Sequence, residues 1–288
     1  MKIIRITTLA LLASAVLPVS AQVAQGAQAL TWNSSTVLKG EVTIPVGQSV
    51  TVEPNTKIVV KDGTRITING TLSAPAGLAL TGKSWIGLVI TGSAVISNFQ
   101  ESGASKSFQV GPNGSLTING GTISGIGGAS EVEGTLLADS LRYDKGDGGG
   151  INSNNGTGSI TINHSVLTGA GRNTGDFFGL YGAKSISLTN STMTGAHCAF
   201  HVLGVQNMKL DRDTISGNSY GFMMYGSSDV GVKTITNTKI EKNNFGFDEG
   251  STSTHNGLIL ISHSLISNNS QNVGLYTGKV KISSPLAK

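Results

Sequence analysis

A repeat of about 25 residues constrains this chain more than any other feature of its sequence. Between residues 159 and 278 the same pattern occurs five times, each time around one apolar anchor residue. The anchors are Leu167, Met193, Ile215, Ile240 and Ile266, which are 26, 22, 25 and 26 positions apart. Another apolar residue lies five positions before each anchor. A period of this length indicates stacked supersecondary units, each of which contacts only its neighbours.

Within each unit the apolar residues alternate two positions apart, which is typical of short strands that bury one face. The positions between the strands hold Gly, Asn, Ser, Thr and Asp, which favour turns. No unit shows the 3.6-residue periodicity of a helix. We therefore predict an all-β chain wound into a right-handed parallel β-helix solenoid of about 9–10 coils, with roughly 22–26 residues in each coil. The L-x-x-L-x-L-x-x-N motif of leucine-rich repeats is absent. The apolar residues also do not recur about every six positions, as a hexapeptide left-handed helix requires.

Stacking of equivalent positions predicts which side chains fill the interior. Two apolar core columns are expected, namely Leu180/Phe200/Phe222/Phe247/Leu275 and Phe178/Cys198/Tyr220/Phe245/Val273. Two polar columns are expected at turns, namely Ser165/Ser191/Asp213/Thr238/Ser264 and Asn218/Asn243/Asn269. Cys198 is the only cysteine, so an intramolecular disulfide is excluded. Its place in an apolar column predicts a small buried hydrophobe rather than a reactive thiol.

Lys233 interrupts this pattern, because the equivalent positions in the other coils hold Ile or Met. Strict stacking would bury its ammonium group, which is very costly without a partner. Three outcomes stay open: Lys233 points outward from a strand that starts late, it finds a carboxylate, or the register slips locally. We favour the first outcome, with Val232 turned inward instead.

The sequence divides into four segments. Lys2 and Arg5 precede an apolar run that ends at a small-residue site, Val19-Ser20-Ala21, so residues 1–21 are predicted to be a secretory signal peptide. Residues 22–39 are predicted to form an N-terminal cap, residues 40–282 the β-helix, and residues 283–288 a short tail. Secretion to the periplasm, the cell surface or the medium is therefore expected. No other stretch is apolar over the roughly 20 residues that a transmembrane helix needs, so no integral membrane segment is expected.

The charge pattern excludes one class of partner. Charged residues make up only 12% of the chain, and the formal net charge of +4 comes without a run or stripe of Lys and Arg. Nucleic acid is therefore not expected as a partner. A low charge with abundant Gly, Ser, Thr and Asn suits uncharged turns and exposed β faces.

Several phrases resemble those of known proteins. Residues 42–47 (VTIPVG), 50–56 (VTVEPNT), 66–72 (ITINGTL) and 85–87 (WIG) resemble the opening of secreted bacterial right-handed β-helix proteins. The C-terminal repeats are similar to those of pectate-lyase-like proteins, and the resemblance covers about residues 40–282. It implies the β-helix fold. It leaves the activity open, because the group contains polysaccharide lyases, hydrolases, epimerases and non-enzymatic surface proteins.

The resemblance suggests where catalysis would lie. A lyase of this group needs acidic residues that hold calcium and an Arg or Lys that takes a proton, so calcium is expected only if the chain is a lyase. The richest local cluster comprises Asp139, Arg142, Asp144 and Asp147, together with Lys145. It matches no known calcium loop, and charged residues also gather in solvated turns.

A second candidate is a row of outward-pointing residues on one sheet. Stacking predicts the row Tyr181, His201, Met223, Asp248 and Tyr276, of which the aromatic and polar members suit sugar binding. His197 and His201 have a spacing that makes a metal site on a helix, but this segment is predicted to be strand and turn. His164 and His263 share one repeat position four coils apart, roughly 19 Å, which is too far for one ion. They are read as exposed turn residues, and no bound metal is expected.

Three functions follow from these observations, the third being a passenger-like module of a larger surface system. The first is a secreted, non-enzymatic β-helix of the cell surface or periplasm that binds polysaccharide or acts as an adhesin-like scaffold. The alternative is a polysaccharide lyase or glycoside hydrolase that acts on an acidic glycan. The sequence does not indicate the oligomeric state.

Overall fold

The structure is a computed structural model that describes residues 30–224, 231–248, 258–274 and 280–282. These residues form thirty β-strands. The strands are β1 (Leu30–Trp32), β2 (Glu41–Ile44), β3 (Ser49–Val52), β4 (Thr56–Val59), β5 (Arg65–Ile68), β6 (Thr71–Ala74), β7 (Leu78–Trp85), β8 (Gly87–Ile90), β9 (Ser93–Ala104), β10 (Phe108–Val110), β11 (Ser115–Ser124), β12 (Ser130–Val132), β13 (Thr135–Asp144), β14 (Ile151–Ser153), β15 (Ser159–Asn163), β16 (Val166–Thr168), β17 (Phe178–Leu180), β18 (Ala183–Thr189), β19 (Thr192–Thr194), β20 (Cys198–Val202), β21 (Val205–Asp211), β22 (Thr214–Ser216), β23 (Tyr220–Met224), β24 (Val232–Thr236), β25 (Lys239–Glu241), β26 (Phe245–Asp248), β27 (Leu258–Ser262), β28 (Leu265–Ser267), β29 (Gln271–Val273) and β30 (Val280–Ile282). In this part of the chain there is no helix with the length and apolarity to cross a bilayer.

The strands form a parallel β-helix of about ten turns, which confirms the predicted fold class. One side of the coil is an eleven-stranded sheet that contains β2, β5, β8, β10, β12, β14, β17, β20, β23, β26 and β29. The other nineteen strands form a second sheet that covers the rest of the coil. Each strand pairs in parallel with its equivalent in the next coil, as Leu167 does with Met193 and Ile215 with Ile240. The five anchor residues are all buried, as the repeat predicts.

The described part of the segment that we assign to the N-terminal cap extends the coil. Leu30 to Trp32 form β1, which pairs in parallel with β3 and places Trp32 beside Val52. Leu38 forms an isolated bridge with Val60. This segment thus pairs with the first full coil instead of leaving that edge open. The predicted signal peptide and the C-terminal tail lie outside the described residues.

Aromatic rings fill the C-terminal part of the core in one continuous stack. The ring centroids of Phe178 and Phe200 are 5.2 Å apart, those of Phe200 and Phe222 are 4.9 Å apart, and those of Phe222 and Phe247 are 4.5 Å apart. Neighbouring rings are close to parallel, with interplanar angles between 4° and 15°. All four side chains are almost completely buried.

This stack corrects the predicted core columns. Phe178 pairs with Phe200, and Phe247 pairs with Val273, so the prediction that aligned Leu180 with Phe200 is wrong by two residues. Leu275 lies outside the described residues. The second predicted column also differs. Cys198 pairs with Tyr220, and Tyr220 pairs with Phe245, as expected, but Tyr220 and Phe245 are only partly buried and do not fill the core.

Both predicted polar columns are confirmed as hydrogen-bonded ladders. In each rung, a backbone N–H of one coil donates to the side-chain oxygen one coil further on. The first ladder runs from Ser165 N to Ser191 Oγ (3.1 Å), Ser191 N to Asp213 Oδ1 (2.8 Å), Asp213 N to Thr238 Oγ1 (3.3 Å) and Thr238 N to Ser264 Oγ (3.1 Å). The second runs from Asn218 N to Asn243 Oδ1 (3.0 Å) and from Asn243 N to Asn269 Oδ1 (2.9 Å). These bonds satisfy turn N–H groups that no strand ladder reaches.

Lys233 is buried, so the predicted outward orientation is wrong. Its side chain is 0% exposed, whereas Val232 is 52% exposed. The register stays strict, because Lys233 pairs with Met208 on one side and with Ile259 on the other. The ammonium group reaches the end of the strand, where Nζ donates to the carbonyl of Gly231 at 3.3 Å. Stacking of the neighbouring apolar residues thus outweighs the cost of burying this amine.

Truncation in the middle of the aromatic stack should be strongly destabilising. We expect Phe222→Ala to lower the free energy of unfolding by roughly 3–5 kcal/mol, because it opens a cavity between two stacked rings. Val59→Ala is the control: Val59 is 66% exposed, and its truncation should change stability by less than about 0.5 kcal/mol. Urea unfolding measures both. A Phe222→Ala protein as stable as the wild type would contradict the stacked core.

Candidate functional site

A group of polar and sulfur-containing side chains gathers around Asp176. The Oδ1 atom of Asp176 lies 3.1 Å from His197 Nδ1 and accepts a hydrogen bond from the Cys198 backbone N–H at 3.2 Å. Its Oδ2 atom lies 2.8 Å from His201 Nδ1. One carboxylate therefore holds two imidazoles. We call Asp176, His197, Cys198 and His201 the Asp176 cluster.

An insertion in one coil positions Asp176. The distance in sequence from anchor to core phenylalanine is 11 positions from Leu167 to Phe178, but 7 positions from Met193 to Phe200 and also 7 in the next two coils. The four extra residues cannot fit in the coil and leave it as a loop between β16 and β17. Asp176 lies near the end of this loop, one coil away from the two histidines. The predicted column places Leu180 beside Phe200 and so implies six extra residues, two more than the structure shows.

Two basic side chains fasten the loop. Lys145 is buried, and its Nζ donates to Gly148 O and to Thr174 Oγ1, both at 3.0 Å. On the other side, Arg172 Nη1 donates to Asn244 Oδ1 at 2.8 Å. Asn244 belongs to a coil well downstream, so the loop lies along the solenoid axis. Burial lowers the pKa of Lys145, while the negative charges of Asp176, Asp147 and Asp144 oppose that shift.

The protonation states of the cluster follow from burial and hydrogen bonding. Burial alone would raise the pKa of Asp176, but hydrogen bonds from His201, Cys198 and His197 outweigh it and hold that pKa at about 2. Asp176 is therefore a carboxylate at neutral pH. Burial raises the pKa of the Cys198 thiol, and the charge of Asp176 raises it further. Cys198 is therefore a neutral thiol, as predicted, although its Sγ lies 3.3 Å from His197 Nδ1 and not among apolar groups alone.

Aromatic rings flank the cluster on both sides. The Tyr181 ring meets the His201 ring edge-on, with centroids 5.4 Å apart and an interplanar angle of 73°. The Tyr220 ring meets His197 in the same way at 5.3 Å and 68°. Gly179 makes room for Tyr181, because a Cβ atom at that glycine would lie 2.7 Å from Tyr181 Cε2. Tyr181 stays 40% exposed, so one face of the cluster presents an aromatic surface to solvent.

The predicted binding row is correct only in part. His201, Met223 and Asp248 do form one column, but the residue in register with His201 in the preceding coil is Gly179 and not Tyr181. The backbone of Tyr181 lies two positions further on, and only its ring returns beside His201. Asp248 is 6% exposed and so is buried, contrary to the prediction. Tyr276 lies outside the described residues.

The acidic cluster predicted at residues 139–147 does not converge on one point. Asp139 Oδ1 lies 2.9 Å from His164 Nδ1, at the turn within β13, and both side chains are largely exposed. Asp144 Oδ1 instead accepts a hydrogen bond from the Gly146 N–H at 3.1 Å after the end of that strand. Arg142 and Asp147 are exposed. Asp139 thus contacts the next coil, whereas Asp144 hydrogen-bonds within its own turn.

The two histidines predicted to share a turn position are exposed, as expected. His164 and His263 lie in the left-handed region, with φ of 46° and 51°, at equivalent turns of different coils. His197 and His201 are not the separate strand and turn residues that the sequence predicts. Both contact the carboxylate of Asp176, a loop residue that lies outside the repeat. Only the unusual length of that loop in the sequence could have indicated Asp176.

The comparisons with known proteins leave the activity open. No protein-family model and no curated protein matches this chain. Among solved structures, the A-module of the mannuronan C-5 epimerase AlgE4 from Azotobacter vinelandii is similar, with 12% identity over 90% of each chain and a TM-score of 0.39. A likeness at this level carries no argument about the site, which has to be interpreted from its own geometry.

Loss of one hydrogen bond should loosen the loop that carries Asp176. We expect Thr174→Val to cost roughly 1–3 kcal/mol, because the buried ammonium of Lys145 loses one of its two acceptors. Thr161→Val, on the outer side of β15, is the control and should be nearly neutral. Urea unfolding measures stability, and hydrogen exchange over residues 169–176 reports the loop. If both variants behave alike, Lys145 does not fasten the loop.

Proposed function

We propose that this protein binds a polysaccharide along the outer face of the eleven-stranded sheet, with Tyr181, His201 and Asp176 at the centre of the contact. We further propose that it does so outside the cytoplasm, after removal of the signal peptide predicted at residues 1–21. The observation that carries the proposal is the half-exposed Tyr181 ring, held edge-on to His201 above a fixed carboxylate.

The chemistry of sugars fits this arrangement. A pyranose ring has apolar C–H faces and a rim of hydroxyl groups. An aromatic ring such as Tyr181 packs against the C–H face, while a few fixed polar groups bind the hydroxyls and set the orientation. The loop and strand that carry Asp176 and His201 are fastened independently, so little conformational entropy is lost when a ligand binds.

The outer face extends the contact along the solenoid axis. One column of this sheet runs through five consecutive coils in register. Its members are, in order, Gln109, Glu131, Asn152, Gly179 and His201. Parallel strands are roughly 4.8 Å apart, so this column spans about 19 Å. Gln109 and Glu131 also line a shallow groove on this face. A linear polymer that lies along the axis would therefore meet Gln109, Glu131, Asn152 and His201 in turn, interrupted at Gly179, where the Tyr181 ring lies close by.

The paired histidines favour a second candidate, an enzyme that acts on the bound glycan as a lyase or hydrolase. A carboxylate that binds imidazole Nδ1 orients the ring and fixes its tautomer, which is how a histidine is prepared to move a proton. His201, beside the exposed Tyr181 ring, would be the residue to take or give that proton. In this case catalysis would involve the Asp176 cluster and not residues 139–147. Calcium would be needed only for a lyase that binds an acidic sugar.

A pair of substitutions on opposite sides of the solenoid tests the binding proposal. Purified protein is first screened on a glycan array, and affinity for the best ligand is then measured by calorimetry. We expect Tyr181→Ala to weaken binding about tenfold or more, which corresponds to roughly 1.4 kcal/mol of lost packing. Leu137→Ala is the control, because Leu137 is 42% exposed on β13 of the other sheet, and it should bind like the wild type.

The outcomes separate the candidates. Absence of any glycan ligand, or equal loss of affinity in both variants, would contradict the proposal. Turnover of a bound acidic glycan that His201→Ala abolishes while affinity is kept would favour the enzyme.

A further inference from the structure

We propose that Cys198, His197 and Met223, together with the carboxylate of Asp176, form a binding site for a single copper ion. This inference goes beyond the proposed function, because it needs no glycan and can be tested without one. It also goes beyond the sequence-based expectation that the chain holds no metal. It stands on three independent features: the separations of the donor atoms, their chemical type and their shelter from solvent.

Three of the donor atoms lie close together, and the Met223 sulfur lies beside one of them. A carboxylate oxygen of Asp176, His197 Nδ1 and Cys198 Sγ are all within 4.8 Å of one another. Cys198 Sγ lies 3.3 Å from His197 Nδ1 and 3.7 Å from Met223 Sδ. Ligands placed about 2.0–2.3 Å from a tetrahedral ion lie roughly 3.3–3.8 Å from each other. An ion bound by Asp176, His197 and Cys198 would therefore have the Met223 thioether next to its sulfur ligand.

The types of donor select the metal. A thiolate, a thioether and an imidazole are ligands that favour copper, whereas calcium and magnesium bind oxygen ligands and would find only Asp176 here. Zinc also accepts thiolate, imidazole and carboxylate ligands. The thioether of Met223 is the feature that favours copper over zinc, because it is a soft ligand that Cu(I) binds well.

The surroundings hold the donors in place and limit the access of water. Cys198 is completely buried, and the side chain of Asp176 is 19% exposed, whereas that of His197 is 42% exposed and leaves an entry path. His201 holds the second oxygen of Asp176 at 2.8 Å and so orients this carboxylate. Cys198 and Met223 lie on β20 and β23, which are neighbouring strands of one rigid sheet.

Binding of Cu(I) involves one proton. The S–H bond of the Cys198 thiol breaks and an S–Cu bond forms, while the proton passes to the solvent. His197 Nδ1 donates its proton to the Asp176 carboxylate before the ion enters, so it must give up that proton while Nε2 gains one; the ring stays neutral and one proton is released in all. The thiolate charge then matches the charge of the ion, and no oxidant or reductant is consumed. The nearby carboxylate of Asp176 adds a negative charge that favours the cation.

A competition titration tests the site. Under anaerobic, reducing conditions, purified protein is titrated into Cu(I) held by a chromophoric chelator. We expect one ion per chain, a loss of at least a hundredfold in affinity for Cys198→Ser, and a loss of about tenfold for Met223→Leu. His263→Asn is the control, because this exposed turn histidine has its left-handed φ preserved by Asn, and it should bind like the wild type.

X-ray absorption of the wild-type copper complex keeps the test independent of any folding defect in the variants. We expect two sulfur neighbours and at least one nitrogen neighbour around the ion. Absence of one-to-one binding, binding that survives Cys198→Ser, or a shell of nitrogen and oxygen alone would overturn the proposal. Zinc that binds as tightly as copper and is indifferent to Met223→Leu would also overturn it, because the thioether would then play no part.

Discussion

Coil-to-coil register is the constraint on which the rest of this structure depends. Core side chains stack on their equivalents one coil away, and the rings of Phe178, Phe200, Phe222 and Phe247 form the clearest example. The ladders through Ser165 and Asn218 fix the same register at the turns with hydrogen bonds. Together these contacts exclude slippage, because a shift by one residue would place polar groups in the core.

A strict register also determines where a site can form. When a coil contains more residues than one turn can hold, the extra residues form a loop outside the solenoid. Such loops carry function in many scaffolds. Here the excess lies between β16 and β17 and ends at Asp176. Hydrogen bonds from Lys145 and Arg172 hold it against the coil, so the carboxylate is as well placed as a strand residue. The candidate site thus combines an inserted acid with two histidines from the regular repeat.

The repeat predicts the fold and both polar ladders, because stacking forces equivalent residues together. It fails where the coil length changes. The alignment of Leu180 with Phe200 matches the apolar-small-apolar run of residues 178–180 to that of residues 198–200, whereas the structure pairs Phe178 with Phe200. The prediction also fails at Lys233, because the cost of burying its amine is offset in part by the carbonyl of Gly231, to which Nζ donates. Asp176 lies in an insertion, so the periodicity gives no signal for it. Its contacts with His197 and His201 are evident only in the three-dimensional structure.

The glycan and copper proposals place two ligands on adjacent parts of the same surface. Both depend on Asp176, but they use different neighbours. The sugar would contact the Tyr181 ring and the column through His201, whereas copper would lie between Cys198 and Met223, deeper in the sheet. The two ligands need not exclude each other, and their sites can be tested separately.

Hydrogen–deuterium exchange with and without a bound glycan tests the location of the functional surface most directly. The account predicts slower exchange in peptides that cover residues 176–181 and 198–202, on the loop and on the outer face of the eleven-stranded sheet. It predicts unchanged exchange in β13, on the other sheet. Protection that appeared at residues 135–147 and not around Asp176 would contradict the assignment of the site.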